Sequence, residues 1–335
     1  MRPSWFSRAS VPSRKRGAVS ANQRTMSEDA GRDAVRAFLG QAIDDAGLFP
    51  PAKLSMRDAL AAHERALGGR HAWMLGRFVV SASGLRELTE ALGERSTPLR
   101  VSVVFDGALL EDYASVAREI HSGSGRVAIE AVELKLTDLP GSDPAAKAAM
   151  LGQMERVGAF TTPLSTYVEI GIEDDAHLEL NLQTFRESPA GGSRRYVKVR
   201  CGGLDASATP STGQLAQFIA RARDLGIPFK ATAGLHHPVR HHNVRAGFLM
   251  HGFLNVIGAA ILARTHAFDR AKLEAILADE NATDFRLNLR AFEWRGAIVK
   301  AEEIAGARAT TIHSFGSCSL DEPLADLLAL GIAQT

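Results

Sequence analysis

The stretch that most constrains this chain runs from Tyr196 to Arg240, YVKVRCGGLDASATPSTGQLAQFIARARDLGIPFKATAGLHHPVR. Val197, Val199 and Cys201 alternate with Lys198, Arg200 and Gly202, and Phe229, Ala231 and Ala233 alternate with Lys230, Thr232 and Gly234. Successive side chains on a strand point to opposite faces, so each segment predicts a strand with one apolar and one polar face. Between them Pro210 and Ser211 open a helix, Leu215, Phe218, Ile219 and Ala222 form its apolar stripe, and Gly226 and Pro228 close it. Together they make a βαβ unit whose strands are parallel neighbours. Parallel strands are normally covered on both faces and read as continuous apolar runs. A lysine in the middle of each polar face therefore needs a solvated interior, which the mouth of a barrel supplies. For either segment alone, an exposed edge strand is the alternative.

The same rhythm recurs along the chain. Strands are expected at 78–83, 100–106, 127–136, 166–172, 196–202, 229–235, 284–290 and 310–316. Helices are expected at about 84–93, 109–122, 144–157, 174–187, 211–226, 243–278, 297–307 and 321–330. Eight strands, each followed by a helix, predict an α/β fold of the (β/α)8 TIM barrel type. The segment 284–290 is also readable as an amphipathic helix. Two helical patterns flank the turn at 47–51 and nothing strand-like precedes Trp73, so 26–72 reads as an N-terminal helical extension and 73–335 as the barrel. Residues 1–25 are rich in Arg, Lys and Ser and contain no acid; they read as a disordered basic tail, or as a stretch upstream of a start at Met26.

Composition narrows the function classes. A chain of 335 residues with 45% hydrophobic content accommodates one barrel plus extensions. A formal net charge of +1 gives no footprint for nucleic acid or an anionic membrane, and no apolar run is long enough to span a bilayer. Two cysteines, Cys201 and Cys318, are too few for a disulfide framework and suit a reducing cytoplasm. The expected partner is a small-molecule substrate, with no cofactor called for and homo-oligomerisation left open.

Taking the polar alternation as inward collects Ser81, Ser83, Asp106, Glu133, Lys135, Glu169, Lys198, Arg200, Lys230 and Thr232. So many strands with an ionisable group disfavour the edge-strand explanation. A neutral lysine amine attacks carbonyls to form a Schiff base. Arg200 lies on the same face as Lys198, and Lys230 lies on the adjacent strand. At ~6–7 Å and an effective dielectric of ~20, each would disfavour an ammonium at Lys198 by about 2.5 kcal/mol. Lys198 is thus expected as the nucleophile and Lys230 as its electrostatic partner. Binding of an anionic substrate by both ammonium groups fits the spacing equally. A carboxylate close by, Glu133 or Glu169, would act in the opposite sense.

Of 11 histidines, five crowd into one stretch: His236, His237, His241, His242 and His251. His236 continues the inward face of Lys230, which suits His236 or His237 to acid–base work or substrate binding. With Glu133, Glu169 or Asp106 the cluster could instead hold a divalent metal, although neither HExxH nor HxH spacing is present. In SFGSCSLDEPLADL, Gly316 and Ser317 end a strand while Asp321 and Pro323 begin a helix. Backbone N–H groups at such a turn bind anions, and barrels often hold phosphate after their last strands. A tight turn of small residues explains the same pattern.

YVKVRCGG, PFKATAGL and HSFGSCS resemble the corresponding run of the deoxyribose-phosphate aldolases, class I aldolases on a barrel. The resemblance implies Lys198 as the Schiff-base lysine, Lys230 as the second lysine that tunes it, and Gly234, Gly316, Ser317 and Ser319 as phosphate-binding positions. Arg200, Gly202, His237 and Arg240 flank these positions and join the expected binding set. The family's acidic proton shuttle falls to Asp106 or Glu169, and Arg200-Cys201-Gly202 stands where the family has a Ser/Thr tract. AGLFPPAKL, WMLGRFVV, KATAGLHHP, MHGFLN and FGSCSLDEP also resemble runs of an uncharacterised bacterial (β/α)-barrel protein family. The expected function is a class I aldolase-like lyase acting on a small, phosphorylated or carboxylated carbonyl metabolite. The alternatives are a metal-dependent lyase or isomerase using the His236–His251 cluster, and a non-catalytic ligand-binding barrel.

Overall fold

The βαβ unit forms as its residues dictate. In the computed structural model, strand Arg194–Arg200 lies parallel to strand Phe229–Thr232, with Lys198 directly beside Lys230 and Arg200 beside Thr232. The helix between them, Thr212–Leu225, starts at a capping box in which Ser211 and Gln214 satisfy each other's backbone N–H groups. It ends at Gly226, whose φ of +65° is the left-handed cap that glycine adopts without strain. The structure describes residues 33–93, 97–107, 109–122, 125–135, 164–172, 174–188, 194–244 and 246–332, together with 148, 151, 152 and 155. The basic stretch 1–25, and the helix expected at 144–157 apart from those four positions, lie outside the described residues.

A closed barrel of eight parallel strands follows: Ile43–Asp45, Leu75–Ser81, Leu99–Val104, Val127–Lys135, Ser165–Glu169, Arg194–Arg200, Phe229–Thr232 and Ile312–Ser317. They run round the barrel in chain order, the last pairing with both the first and the seventh. This is the (β/α)8 TIM barrel, but one strand is not the expected one. The first barrel strand, Ile43–Asp45, lies inside 26–72, so that segment is not a purely helical extension and the barrel begins before residue 73. Only three residues long, two of them acids, this strand has no apolar alternation to announce it. It is pinned by Asp44, whose Oδ1 accepts from the Arg77 backbone N–H at 2.7 Å. Gly76 makes room, since a Cβ there would lie 2.2 Å from that same oxygen.

The segment 284–290 correspondingly supplies no barrel strand. Phe285–Leu287, Ala291–Trp294 and Ala297–Lys300 form a separate antiparallel sheet. Arg295 and Gly296, both with positive φ, make the two-residue turn that a tight hairpin requires. Phe285, Leu287 and Phe292 are buried in the main core, and the ring of Phe292 packs 4.9 Å from that of Phe38. The expected helix over 243–278 resolves into two antiparallel strands, His241–Asn243 and Phe248–Met250, followed by helices Phe253–Thr265 and Arg270–Ala278. The first of these is buried over every residue from Phe253 to Ala263, which explains why it is apolar all round.

Asn255 is the polar exception on that buried helix. Its Oδ1 accepts from the Arg240 N–H at 2.9 Å, and its Nδ2 donates to the carbonyls of Ile276 and Asp279 at 2.7 and 2.8 Å. It thereby ties the loop after the seventh barrel strand to the next helix. Asn255→Ala leaves two buried carbonyls and a part-buried N–H without that partner, and urea denaturation is expected to show a loss of about 2–4 kcal/mol. A loss under about 0.5 kcal/mol would mean that the loop is held by other contacts.

Candidate active site

The barrel interior holds a buried ionic cluster. Lys230 Nζ lies 2.7 Å from Asp44 Oδ2 and 2.5 Å from Glu133 Oε1. Lys198 Nζ lies 3.4 Å from the other Glu133 oxygen and 3.1 Å from Glu169 Oε2. Arg200 Nε reaches Glu169 Oε1 at 3.5 Å. Two hydroxyls complete the cluster, Ser102 donating to Glu133 and Ser314 to Asp44, both at 2.7 Å. Pairing sets the geometry, because Glu169 is the register partner of Lys198 and Lys198 of Lys230. Long side chains on adjacent strands thus meet along one interior face.

Electrostatics follow from this pairing. Burial alone would drive Lys230 toward the neutral amine, but Asp44 and Glu133 outweigh it and raise its pKa above the ordinary lysine value. Burial likewise favours protonated Glu133, yet Lys230 and Lys198 bring its pKa down to about 2. Burial is also overcome at Glu169, whose pKa is lowered by Lys198 and Arg200. Lys230 is therefore a saturated counter-ion to two carboxylates. Sequence placed Lys230 as the electrostatic partner of Lys198; the structure sets Glu133 against both, 2.5 Å from Lys230 Nζ and 3.4 Å from Lys198 Nζ, with Glu169 3.1 Å from Lys198.

Above the cluster a cavity of about 960 Å³ opens at the C-terminal ends of the strands. Of the fourteen residues expected from sequence to be catalytic or substrate-binding, ten line it: Glu133, Glu169, Lys198, Arg200, Lys230, Gly234, His236, His237, Gly316 and Ser317. Four do not. Asp106 accepts from the Ser83 N–H and hydroxyl at 3.1 and 2.5 Å, holding a loop rather than facing the cavity. Gly202 is a packing glycine, since a Cβ there would lie 2.9 Å from the Gly234 Cα. Arg240 turns to His251 at 3.3 Å and Glu280 at 3.9 Å, and Ser319 lies outside the lining.

The histidines divide. His251 is buried, with Nε2 2.8 Å from the Pro210 carbonyl, and burial lowers its pKa to about 4. His236 and His237 line the cavity beside Glu322, at 3.3 and 3.7 Å, and His237 Nδ1 lies 2.6 Å from Asp326. Burial keeps His236 below the usual histidine value despite Glu322. Among the described residues no three His, Cys, Asp or Glu side chains converge as a group able to hold a metal ion. Cys318 lines the cavity as a free cysteine, but burial pushes its thiol up, away from thiolate chemistry. Comparison with family models, curated proteins and solved structures returned no match to this chain. Among the described residues no helix is long and apolar enough to cross a membrane.

Asp44 escapes the sequence reading because its strand does: Asp44 and Asp45, just before the turn at 47–51, read as the end of a helical pattern. Lys230→Met removes the ammonium from Asp44 and Glu133 and is expected to destabilise the fold by about 3–5 kcal/mol at pH 7. Linkage gives the pH dependence its sign. Glu133, with its folded pKa depressed to about 2, contributes stability above the unfolded value near ~4.3 and loses it as pH falls toward 2. Stability curves of the two proteins should therefore differ most near neutrality and converge in acid. A constant offset down to pH 2 would count against this pairing.

Proposed function

We propose that this protein is an enzyme of carbonyl chemistry, a class I aldolase-like lyase in which Lys198 forms a Schiff base with its substrate. One observation carries this: Lys198 stands at the floor of the cavity with its Nζ between two carboxylates, at 3.1 and 3.4 Å. Both lysines are buried and each pairs with two carboxylates, but the Lys198 side chain is 7% exposed against 1% for Lys230, and its contacts of 3.1 and 3.4 Å are longer than the 2.5 and 2.7 Å that hold Lys230. The choice between the lysines comes from this looser hold rather than from their spacing.

Glu169 is the base within reach. It takes one proton from the Lys198 ammonium, and the freed amine forms a C–N bond to the carbonyl carbon. The carbonyl oxygen receives one proton from the nitrogen and one back from Glu169, then leaves as water. The iminium keeps the single positive charge that the ammonium had, so Glu133 and Glu169 face the same charge before and after the adduct forms. An iminium withdraws electrons from the neighbouring carbon, which is what cleavage of the adjacent carbon–carbon bond requires. His237, oriented through Nδ1 by Asp326, is the group at the cavity mouth suited to move a proton on the departing fragment.

Borohydride reduction in the presence of small aldehydes and ketones, followed by peptide mapping, tests this directly. The reduced adduct is expected on Lys198 and absent from Lys198→Arg. Glu169→Gln is expected to slow adduct formation by about 10²-fold or more. Adducts only on surface lysines, or none with any carbonyl offered, would overturn the assignment.

A further inference from the structure

The cavity is lined unevenly, and its lining discriminates among carbonyl compounds. Lys198 and Arg200 lie two residues apart on one face of one strand, roughly 7 Å between Cα atoms. Both touch Glu169, the ammonium at 3.1 Å and the guanidinium at 3.5 Å, so the two cations bracket a single carboxylate. Lys230 is spent on Asp44 and Glu133. Arg200 differs, because 49% of its side-chain surface stays exposed where it lines the cavity. A guanidinium is a planar fork that binds a carboxylate through two parallel N–H groups.

Near Gly316 and Ser317, where a barrel would hold a phosphate, the cation at hand is Lys230, and it is already held by Asp44, the strand partner of Gly316, and by Glu133. Glu322, a carboxylate 48% exposed, also lines the cavity beside His236 and His237, which disfavours a phosphate dianion. Phe49, Pro50, Leu204, Val244 and Met250 add an apolar share to the lining, beside His241, His242 and Asn243, with Leu204 67% and Val244 89% exposed. Apolar side chains held open to water at a cavity mouth gain by covering an apolar ligand.

We propose that the substrate is a 2-oxo acid with an uncharged, apolar tail. Its carbonyl carbon meets Lys198, its carboxylate is held by Arg200, and its tail lies along Phe49, Pro50 and Val244. This rests on Lys198 as the Schiff-base lysine and adds the substrate class. A 2-oxo acid fits because its carboxylate is bonded directly to the reacting carbon, as close as two cations sharing Glu169 require.

The test compares three probes under borohydride at equal concentration: 4-methyl-2-oxopentanoate, 4-methyl-2-pentanone, which has the same tail without the carboxylate, and dihydroxyacetone phosphate. The oxo acid is expected to label Lys198 at least about tenfold faster than either of the others. In Arg200→Gln the ratio of oxo acid to ketone should fall toward one, and Arg200→Lys should recover part of it. Labelling by the phosphorylated ketone equal to or faster than by the oxo acid would overturn the substrate class while leaving Lys198 as the nucleophile. Calorimetric binding of 4-methyl-2-oxopentanoate to the unreduced protein separates the two assignments. If no probe labels Lys198, binding weakened about tenfold by Arg200→Gln would keep the carboxylate subsite and overturn the Schiff base. Absence of both labelling and Arg200-dependent binding would overturn both.

Discussion

The contact between Lys230 and its two carboxylates, Asp44 and Glu133, is the constraint on which this barrel depends. A fully buried ammonium is tolerable only if each of its charges is answered, and an incomplete set costs several kcal/mol. Here the answering groups come from the first and fourth strands, while the lysine comes from the seventh. Three strands far apart in sequence must therefore be in place together. Ser102 and Ser314 take up further lone pairs of those carboxylates, so the cluster is hydrogen-bonded as well as ion-paired. An apolar layer would fill the same space without the desolvation cost. The cluster makes sense as the foundation of the group above it, because Glu133 turns one oxygen to Lys230 and the other to Lys198.

How much of this could be read from the chain depends on which physical signal each part emits. Strands with a polar and an apolar face announce themselves by period two, and seven of the eight barrel strands do so. Ile43–Asp45 does not, because its burial is achieved by pairing two acids rather than by apolar alternation. Asp45, for instance, is answered by His63 at 2.8 Å, a partner on the next helix that no local pattern indicates. The alternation at Phe285 and Leu287 was genuine, since both are buried in a strand. Periodicity carries no information on whether the neighbours run parallel or antiparallel, and the Arg295-Gly296 turn was the signal that could have decided it.

The candidate site was legible to the same degree. Inward alternation placed Lys198, Lys230, Glu133 and Glu169 on one interior surface, which is a statement about faces. Which carboxylate touches which lysine depends on strand register, and register is set by pairings across the whole barrel. Asp106 and Arg240 lie outside the cavity lining for a related reason: each sits in a loop after a barrel strand, where the loop rather than the pleat directs the side chain.

Register also bears on the proposed nucleophile. Spacing suggested a lysine made neutral by cationic neighbours. The observed floor contains Asp44, Glu133 and Glu169 against Lys198, Lys230 and Arg200, three acids answered by three bases. A neutral Lys198 in that setting would leave one carboxylate charge unanswered in a poorly solvated place. A protonated iminium would not, because it carries the same charge at nearly the same position as the ammonium it replaces. Under the proposed Schiff-base chemistry the floor is thus better matched to the adduct than to the free amine. On this view the base that strips the proton, Glu169, is also the counter-ion of the product. The free amine needs to exist only for as long as the carbonyl takes to capture it.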